Sequence, residues 1–316
     1  MIDAERLFRE ARRPLCLGIG GGGDVVGALA TAEACRLYHG ARPVLGGVTW
    51  ERRPIDPQPG PRSSDEVEGA RRLGPGVLAA GAGTRVRSSG VRFAEARMAE
   101  LLGEETVLVD VNCGPETIAA GLRAALAELG CDLVVFVDVG GDALARGDEP
   151  GLASPLCDAV MLAAAAILAD DGQAPVLGGV FGIGCDGELT PEEVSERIAE
   201  VAAADGLGGA RGLTAAVVER LDAAVEAIPT EASAQALRCF RGEVGEVTIR
   251  GGRRRVRLSL AGALSVYFDV PAALRSAARL AAAVREAEDL DAANDLLHSL
   301  DVRTELDYER ELARAL

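Results

Sequence analysis

The sequence contains no lysine at all, so every one of its 33 basic residues is arginine. That excludes a P-loop lysine, a Schiff-base lysine, pyridoxal-phosphate chemistry and a Ser–Lys mechanism. Histidine is nearly as scarce, with only His39 and His298 present. A histidine-rich zinc site and the H-E-x-x-H motif are excluded with it. Acid–base chemistry must then rest on carboxylates, cysteine, tyrosine or one lone histidine. His39 precedes Gly40 and reads as a helix C-terminal residue facing the dipole; His298 reads as a partly exposed residue of a late helix. Any metal is expected to be a hard ion such as Mg²⁺ held by carboxylate oxygen, not zinc.

Aromatic residues make up 3% of the chain, which leaves few rings on which bases can stack. The core must be built from Ala, Val and Leu. The net charge of −16 repels nucleic acid and anionic membranes, so neither is expected as a partner. Arg253-Arg254-Arg255 resembles a nucleic-acid patch, but in so acidic a chain it reads as one charged face of a hairpin. The longest apolar stretch without a charge, Ala159 to Ala169, is too short for a membrane span. Met1 to Arg13 is charged and helical in pattern, so no signal peptide is expected. The seven cysteines show no C-x-x-C spacing and read as free thiols of a reducing compartment. A cytoplasmic location is therefore expected, and a homo-oligomer is left open.

What is present alternates between strand and helix signals. After an N-terminal helix, Pro14 to Ile19 reads as a buried strand, Gly20 to Gly23 as a loop and Asp24 to Tyr38 as a helix. Arg42 to Val48 is a second strand, and Trp50 to Ser64 a long loop of the kind that often carries function. Gly76 to Ala80 reads as a short strand, Val91 to Leu102 as a helix and Thr106 to Val111 as a strand. A helix over Pro115 to Leu129 follows, then the most strand-like run, Asp132 to Val139. Ser154 is expected to cap a helix that opens at Pro155 and runs to Ala169. Pro175 to Ile183 is a further strand. Thr190 and Glu193 form a capping box for the next helix, with helices continuing through Ala227 and over Thr230 to Phe240. Val244 to Arg250 and Arg253 to Leu260 read as a hairpin around Gly251-Gly252. Two helices, near Ala272 to Ala287 and Asp291 to Leu300, close the chain. The pattern predicts an α/β fold: a Rossmann-like, open, mostly parallel sheet with helices on both faces and a C-terminal hairpin plus helices. Residues 1–316 are read as one domain, with 241–316 an elaboration of it.

Two constellations carry the candidate chemistry. Gly18, Gly20 and Gly23 satisfy G-x-G-x-x-G between a strand and a helix. Gly20 to Gly23 with Asp24 then form a candidate cradle for a phosphate or dinucleotide at a helix N-terminus. Glu51, at the end of the second strand, is the candidate for ribose hydroxyls, whereas Arg52 beside it favours a phosphate. The second constellation is Asp138-Val139-Gly140-Gly141-Asp142 at the end of the central strand. Asp138 and Asp142 are the candidate acid–base pair or Mg²⁺ ligands, and Gly140 and Gly141 admit a ligand against the backbone. Two more strand ends repeat the theme. Asp110 to Gly114 offers Cys113 at a helix N-terminus, read as a packed thiol before a nucleophile. Gly182 to Glu188 ends a strand with glycine and the carboxylates Asp186 and Glu188.

The glycine loop, Gly140-Gly141-Asp142, Ser154-Pro155-Leu156 with Asp158, and the ending from Asn294 to Leu297 and Thr304 to Arg310 resemble an uncharacterised archaeal and bacterial family. It is the domain of unknown function numbered eleven fifty-two. The resemblance covers nearly the whole chain and implies a shared fold and pocket without supplying a reaction. If Thr304 to Arg310 folds over the crevice it can contribute Glu305, Asp307 or Arg310; otherwise it is a capped terminal helix. The leading expectation is an enzyme acting on a nucleotide or phosphorylated sugar with carboxylate or Mg²⁺-assisted chemistry. The alternatives are an NAD(P)-dependent oxidoreductase, with Tyr38, Tyr267 or Tyr308 as proton donor, and a non-catalytic nucleotide-binding module.

Overall fold

The computed structural model describes residues 2–315. The chain opens with α1 (Ala4–Glu10), β1 (Pro14–Gly18), α2 (Asp24–His39) and β2 (Val44–Val48). A hairpin follows, β3 (Val67–Gly74) and β4 (Val77–Val86), then α3 (Ala94–Leu102), β5 (Thr106–Val109) and α4 (Gly114–Leu129). Next come β6 (Leu133–Val139), α5 (Pro155–Asp170), β7 (Val176–Phe181), α6 (Pro191–Ala203) and β8 (Leu207–Gly212). Helices α7 (Ala215–Ala227) and α8 (Ala232–Phe240) lead to a second hairpin, β9 (Gly245–Ile249) and β10 (Arg254–Leu258). The chain ends with β11 (Leu264–Asp269), α9 (Val270–Arg275), α10 (Arg279–Ala283), α11 (Leu290–His298) and α12 (Glu305–Arg314).

Among the described residues nine strands form one sheet, in the order β3-β4-β5-β2-β1-β6-β7-β11-β8. The central run β5-β2-β1-β6-β7 is parallel, and antiparallel strands extend it at both margins. Counting only the parallel strands, the order is third, second, first, fourth, fifth, which is the Rossmann arrangement. It places a switch point between β1 and β6, where the connections diverge to opposite faces and leave a crevice beyond the strand ends. The fold is α/β and Rossmann-like.

Burial on both faces explains the sequence of the central strands. In β6, Val134 and Phe136 pack into the core shared with α4, α5 and the C-terminal helices. Leu133, Val135 and Val137 point to the other face, into the core shared with α1, α2 and α7. A strand covered on both sides reads as a continuous apolar run, not as an alternation. Helix α5 is buried along nearly its whole length, because it lies on the sheet and under α9, α10 and α11. That accounts for its apolar run without any membrane; no helix among the described residues is long and apolar enough to cross one.

Three strands escape the sequence reading. The long hairpin β3–β4 replaces the single short strand expected over Gly76 to Ala80, and β8 lies where helices are expected to run on. Its Leu-Gly-Gly-Ala-Arg-Gly sequence is an exposed sheet edge and carries no hydrophobic period. Strand β11, in a stretch left unassigned, lies inside the main sheet between β7 and β8, so residues after 241 do more than elaborate it. Helix α1 is docked by Phe8, 1% exposed, whose ring meets Tyr267 of β11 edge-on at 4.8 Å. Phe8→Ala should lower unfolding free energy by about 3 kcal/mol in a denaturant titration; a change below about 1 kcal/mol would mean that α1 contributes little to the core.

Candidate functional site

Parallel strands deliver their C-terminal ends to one edge, and at the switch point those ends carry carboxylates. Asp24 follows the loop after β1, Asp138 closes β6, Asp142 follows it and Asp186 and Glu188 follow β7. Asp158 joins them from the first turn of α5. Asp24, Asp138 and Asp158 bring one carboxylate oxygen each to within 4.8 Å of one another, and so do Asp142, Asp186 and Glu188. Asp138 and Asp142 are therefore not a lone pair: they belong to different triads. All but the partly exposed Asp24 are buried.

The glycines nearby serve these carboxylates. A Cβ on Gly20 would lie 2.6 Å from Asp24 Oδ2 and 3.0 Å from Asp158 Oδ2. One on Gly140 would lie 2.1 Å from Asp186 Oδ1. Gly140 and Gly141 also hold φ of 125° and 122°, which favour glycine. The space read from sequence as room for a ligand is thus filled by the chain's own side chains, Asp186 at Gly140 and Val194 at Gly141. Gly18 and Gly23 are packing positions, against the start of α2 and against Thr230 respectively. In the glycine loop the Gly20 N–H donates to Asp24 Oδ2 at 3.0 Å and the Gly22 N–H to the Trp50 carbonyl at 2.8 Å. Two of the donors expected to face a phosphate are therefore engaged within the chain. Gly21 lines the cavity and Gly22 stands against the Arg52 side chain.

Three of the six carboxylates lack partners that burial demands. Asp138 Oδ2 accepts from the Ala143 N–H, but Asp138 Oδ1, Asp158 Oδ1 and both Asp186 oxygens have no hydrogen-bond partner. Burial, reinforced by the Asp138 charge, pushes the Asp24 carboxyl up to about 8. Burial, with Glu188 nearby, pushes Asp138 up to about 7. Asp142, Asp158 and Asp186 are raised well above the carboxylate range by burial and by neighbouring carboxylates, Glu188 foremost for Asp142 and Asp186 and Asp138 for Asp158. Glu188 goes the other way. Burial alone would raise it, but Arg254 at 2.6 Å, the Ser154 hydroxyl and the Ala153 and Ser154 N–H groups outweigh that and lower it. Ser154 stands at the N-cap position of α5 with Pro155 after it, as expected, but its hydroxyl donates to Glu188 instead of to the helix.

The side-chain acceptor for the first N–H groups of α5 comes from the other end of the chain. Glu305 accepts from the Leu156 and Cys157 N–H groups, both at 3.0 Å. It also pairs with Arg52 Nη2 at 3.2 Å. Arg52 stacks 4.2 Å over Trp50, donates to the Gly20 carbonyl at 2.7 Å and lies 3.7 Å from Glu309. Glu309 in turn accepts from Trp50 Nε1 and the Gly60 N–H. Helix α12 is therefore pinned over the crevice through Glu305 and Glu309. Asp307 instead caps its own helix and meets His298, and Arg310 pairs at the surface with Asp291.

Above this acidic floor lies a cavity of about 1300 Å³. The β9–β10 hairpin and its turn also line it, with Arg250, Arg253, Arg254 and Arg255. The arginine run read as a mere charged face thus looks into the crevice, which no sequence pattern marks. Glu51 is not at the site: its carboxylate accepts from the Ala94 N–H at the start of α3. Cys113 is no thiolate, since burial and Asp110 push it up to about 11. Of the tyrosines weighed as proton donors, Tyr267 is buried against Thr31 and Tyr38 is bound to Thr214, leaving Tyr308 at the cavity.

These features define an open-sheet α/β protein with an acid-floored, arginine-walled crevice at its switch point. No curated protein and no solved structure matches the chain. It belongs to the family described as Protein of unknown function (DUF1152), whose model matches residues 15–313.

The raised carboxyls set the pH response of the metal-free chain. Their folded-state values lie above the unfolded one, so their contribution to stability is full below about 4 and is lost as pH rises through about 7 and 8. In chelator, Tm should fall between those limits, and Asp138→Asn should flatten the fall. A Tm that climbs across the same range would show these groups ionised and compensated.

Proposed function

We propose that the chain is an enzyme acting on a phosphorylated small molecule or a nucleotide, with the phosphate on the arginine wall and a Mg²⁺-class cation on the carboxylate floor. The observation that carries the reading is that buried carboxylates and four hairpin arginines line one cavity. Asp138 and Asp158, each at most 2% exposed, aim unpartnered oxygens into an oxygen-only triad with Asp24. Carboxylate triads of this kind suit hard cations, which bind phosphate oxygens in turn. Arginine offers planar, bidentate recognition of phosphate, and the hairpin presents four such residues. A buried carboxyl pushed up to about 7 is also placed to exchange a proton near neutrality. The oxidoreductase reading loses its ribose ligand, because Glu51 is engaged at the start of α3.

Thermal melting with nucleotides and sugar phosphates, each with Mg²⁺, tests this. A true ligand at a hundred times its Kd should stabilise the fold by about 2.7 kcal/mol. Arg255→Ala should weaken that shift without lowering the ligand-free Tm. If no phosphate ester stabilises the chain, or if the unphosphorylated parent compounds do so equally, the reading fails.

A further inference from the structure

The first carboxylate triad accounts for only half of the acidic floor. Asp142, Asp186 and Glu188 form a second group with the same spacing, their ligand oxygens within 4.8 Å of one another. Oxygens around a six-coordinate Mg²⁺ or Mn²⁺ stand about 3 to 4.2 Å apart, given bonds near 2.1 Å. Each triad is therefore within a small side-chain adjustment of holding one ion, and the six acids fall into two groups, not one. Asp186 is the independent sign of a missing partner. It is 5% exposed, neither of its carboxylate oxygens has a hydrogen-bond partner, and its packing against Gly140 fixes it in place.

The charge balance leads to the same place. Arg254 makes a direct ion pair with Glu188 and is the one guanidinium among the described residues that does so with any of the six. Five negative charges then remain if all six acids ionise. One dication leaves three of them and two dications leave one. Unpaired carboxylates in a buried site must either take up protons or gather cations.

We infer that the crevice binds two divalent oxygen-seeking cations, one at Asp24, Asp138 and Asp158 and a second at Asp142, Asp186 and Glu188. Asp138 and Asp142, four residues apart at the end of β6, link the two positions along the chain, and a phosphate oxygen of the substrate would bridge the ions. This deepens the proposed function and rests on it for the identity of the bridging ligand. Glu188 already receives Ala153 N–H, Ser154 N–H, the Ser154 hydroxyl and Arg254. The first three belong to the turn before α5. Arg254 is the partner on a long side chain, so it is the one that yields to the cation and turns toward the phosphate.

The test is a titration of Mn²⁺ alone into the metal-free full-length chain, with free ion followed by electron paramagnetic resonance. Two ions per chain are expected. Asp158→Asn should bind one, and Asp186→Asn should bind one, with Asp142→Asn as a second probe of the same position. Each variant's metal-free Tm at neutral pH should equal or exceed that of the parent, since each loses an uncompensated acid. One ion in the parent, or two retained by both Asp186→Asn and Asp142→Asn, overturns the second position and leaves the proposed function standing. No ion in the parent overturns both cation positions. Two ions bound, with no added stabilisation by inorganic phosphate or phosphate esters, upholds the inference and removes the proposed function instead.

Discussion

Carboxylates crowded at the ends of three neighbouring parallel strands repel one another, and much of the local structure is the means of holding them together. The sheet brings the ends of β1, β6 and β7 to one edge, and helix α5 contributes Asp158 there from its first turn. Glycine is required wherever a carboxylate lies against backbone, at positions 20 and 140. Neutralisation is incomplete: Arg254 reaches Glu188 directly, and the other acids are left to protons or to added cations. Buried charge of this kind destabilises a fold unless it is matched, so its presence points to use rather than to stability.

Arg52 organises the opposite corner of the crevice. It binds the glycine loop through the Gly20 carbonyl, stacks on Trp50 and pairs with Glu305. Through it the long loop after β2 and the last helix of the chain become parts of one rim. Glu305 meanwhile occupies the N-terminus of α5, and Asp24 takes up a donor of the loop before α2. Both places where an α/β fold commonly receives a phosphate are served by the chain's own acids. An incoming phosphate is left with the arginine wall, which is why the proposed reading puts it there and not on the glycine loop.

The parallel core was legible because both-sided burial writes itself as unbroken apolar runs, as in Leu133 to Val139, and because capping chemistry marked the start of α6. The margins were not. β8 carries glycines and one arginine on an exposed edge, where nothing forces alternation. At the site, the strand-end aspartates could be found one strand at a time from the glycine and carboxylate punctuation after β1, β6 and β7. Their grouping could not, since it depends on strand order: Asp138 and Asp142, four residues apart, fall into different triads. Asp158 carried no local signal beyond its place in the first turn of a helix. Glu51 misled because an acid after the second strand is a dinucleotide signature only if it faces the crevice, and here the start of α3 takes it.

The arginine wall shows how composition and site are connected. A lysine beside buried acids is a compact, strongly hydrated charge, whereas a guanidinium is planar, less hydrated and always protonated. Arg254 can therefore sit at 2.6 Å from Glu188 in a buried setting and still present its remaining N–H donors elsewhere. Arg250, half-buried at the turn of the same hairpin, has its affinity for a proton lowered by partial burial, with Arg254 and Arg52 nearby. Guanidinium starts so far above neutrality that such a lowering leaves it charged, whereas a lysine under the same burial is far easier to discharge. The wall's positive charge is thus secure without bound ligand, and the floor's negative charge is not. On the proposed reading this asymmetry gives the empty crevice its polarity: the arginines fix the position of the phosphate, and the state of the floor, protonated or occupied by cations, decides whether the rest of the substrate meets an acid or a metal.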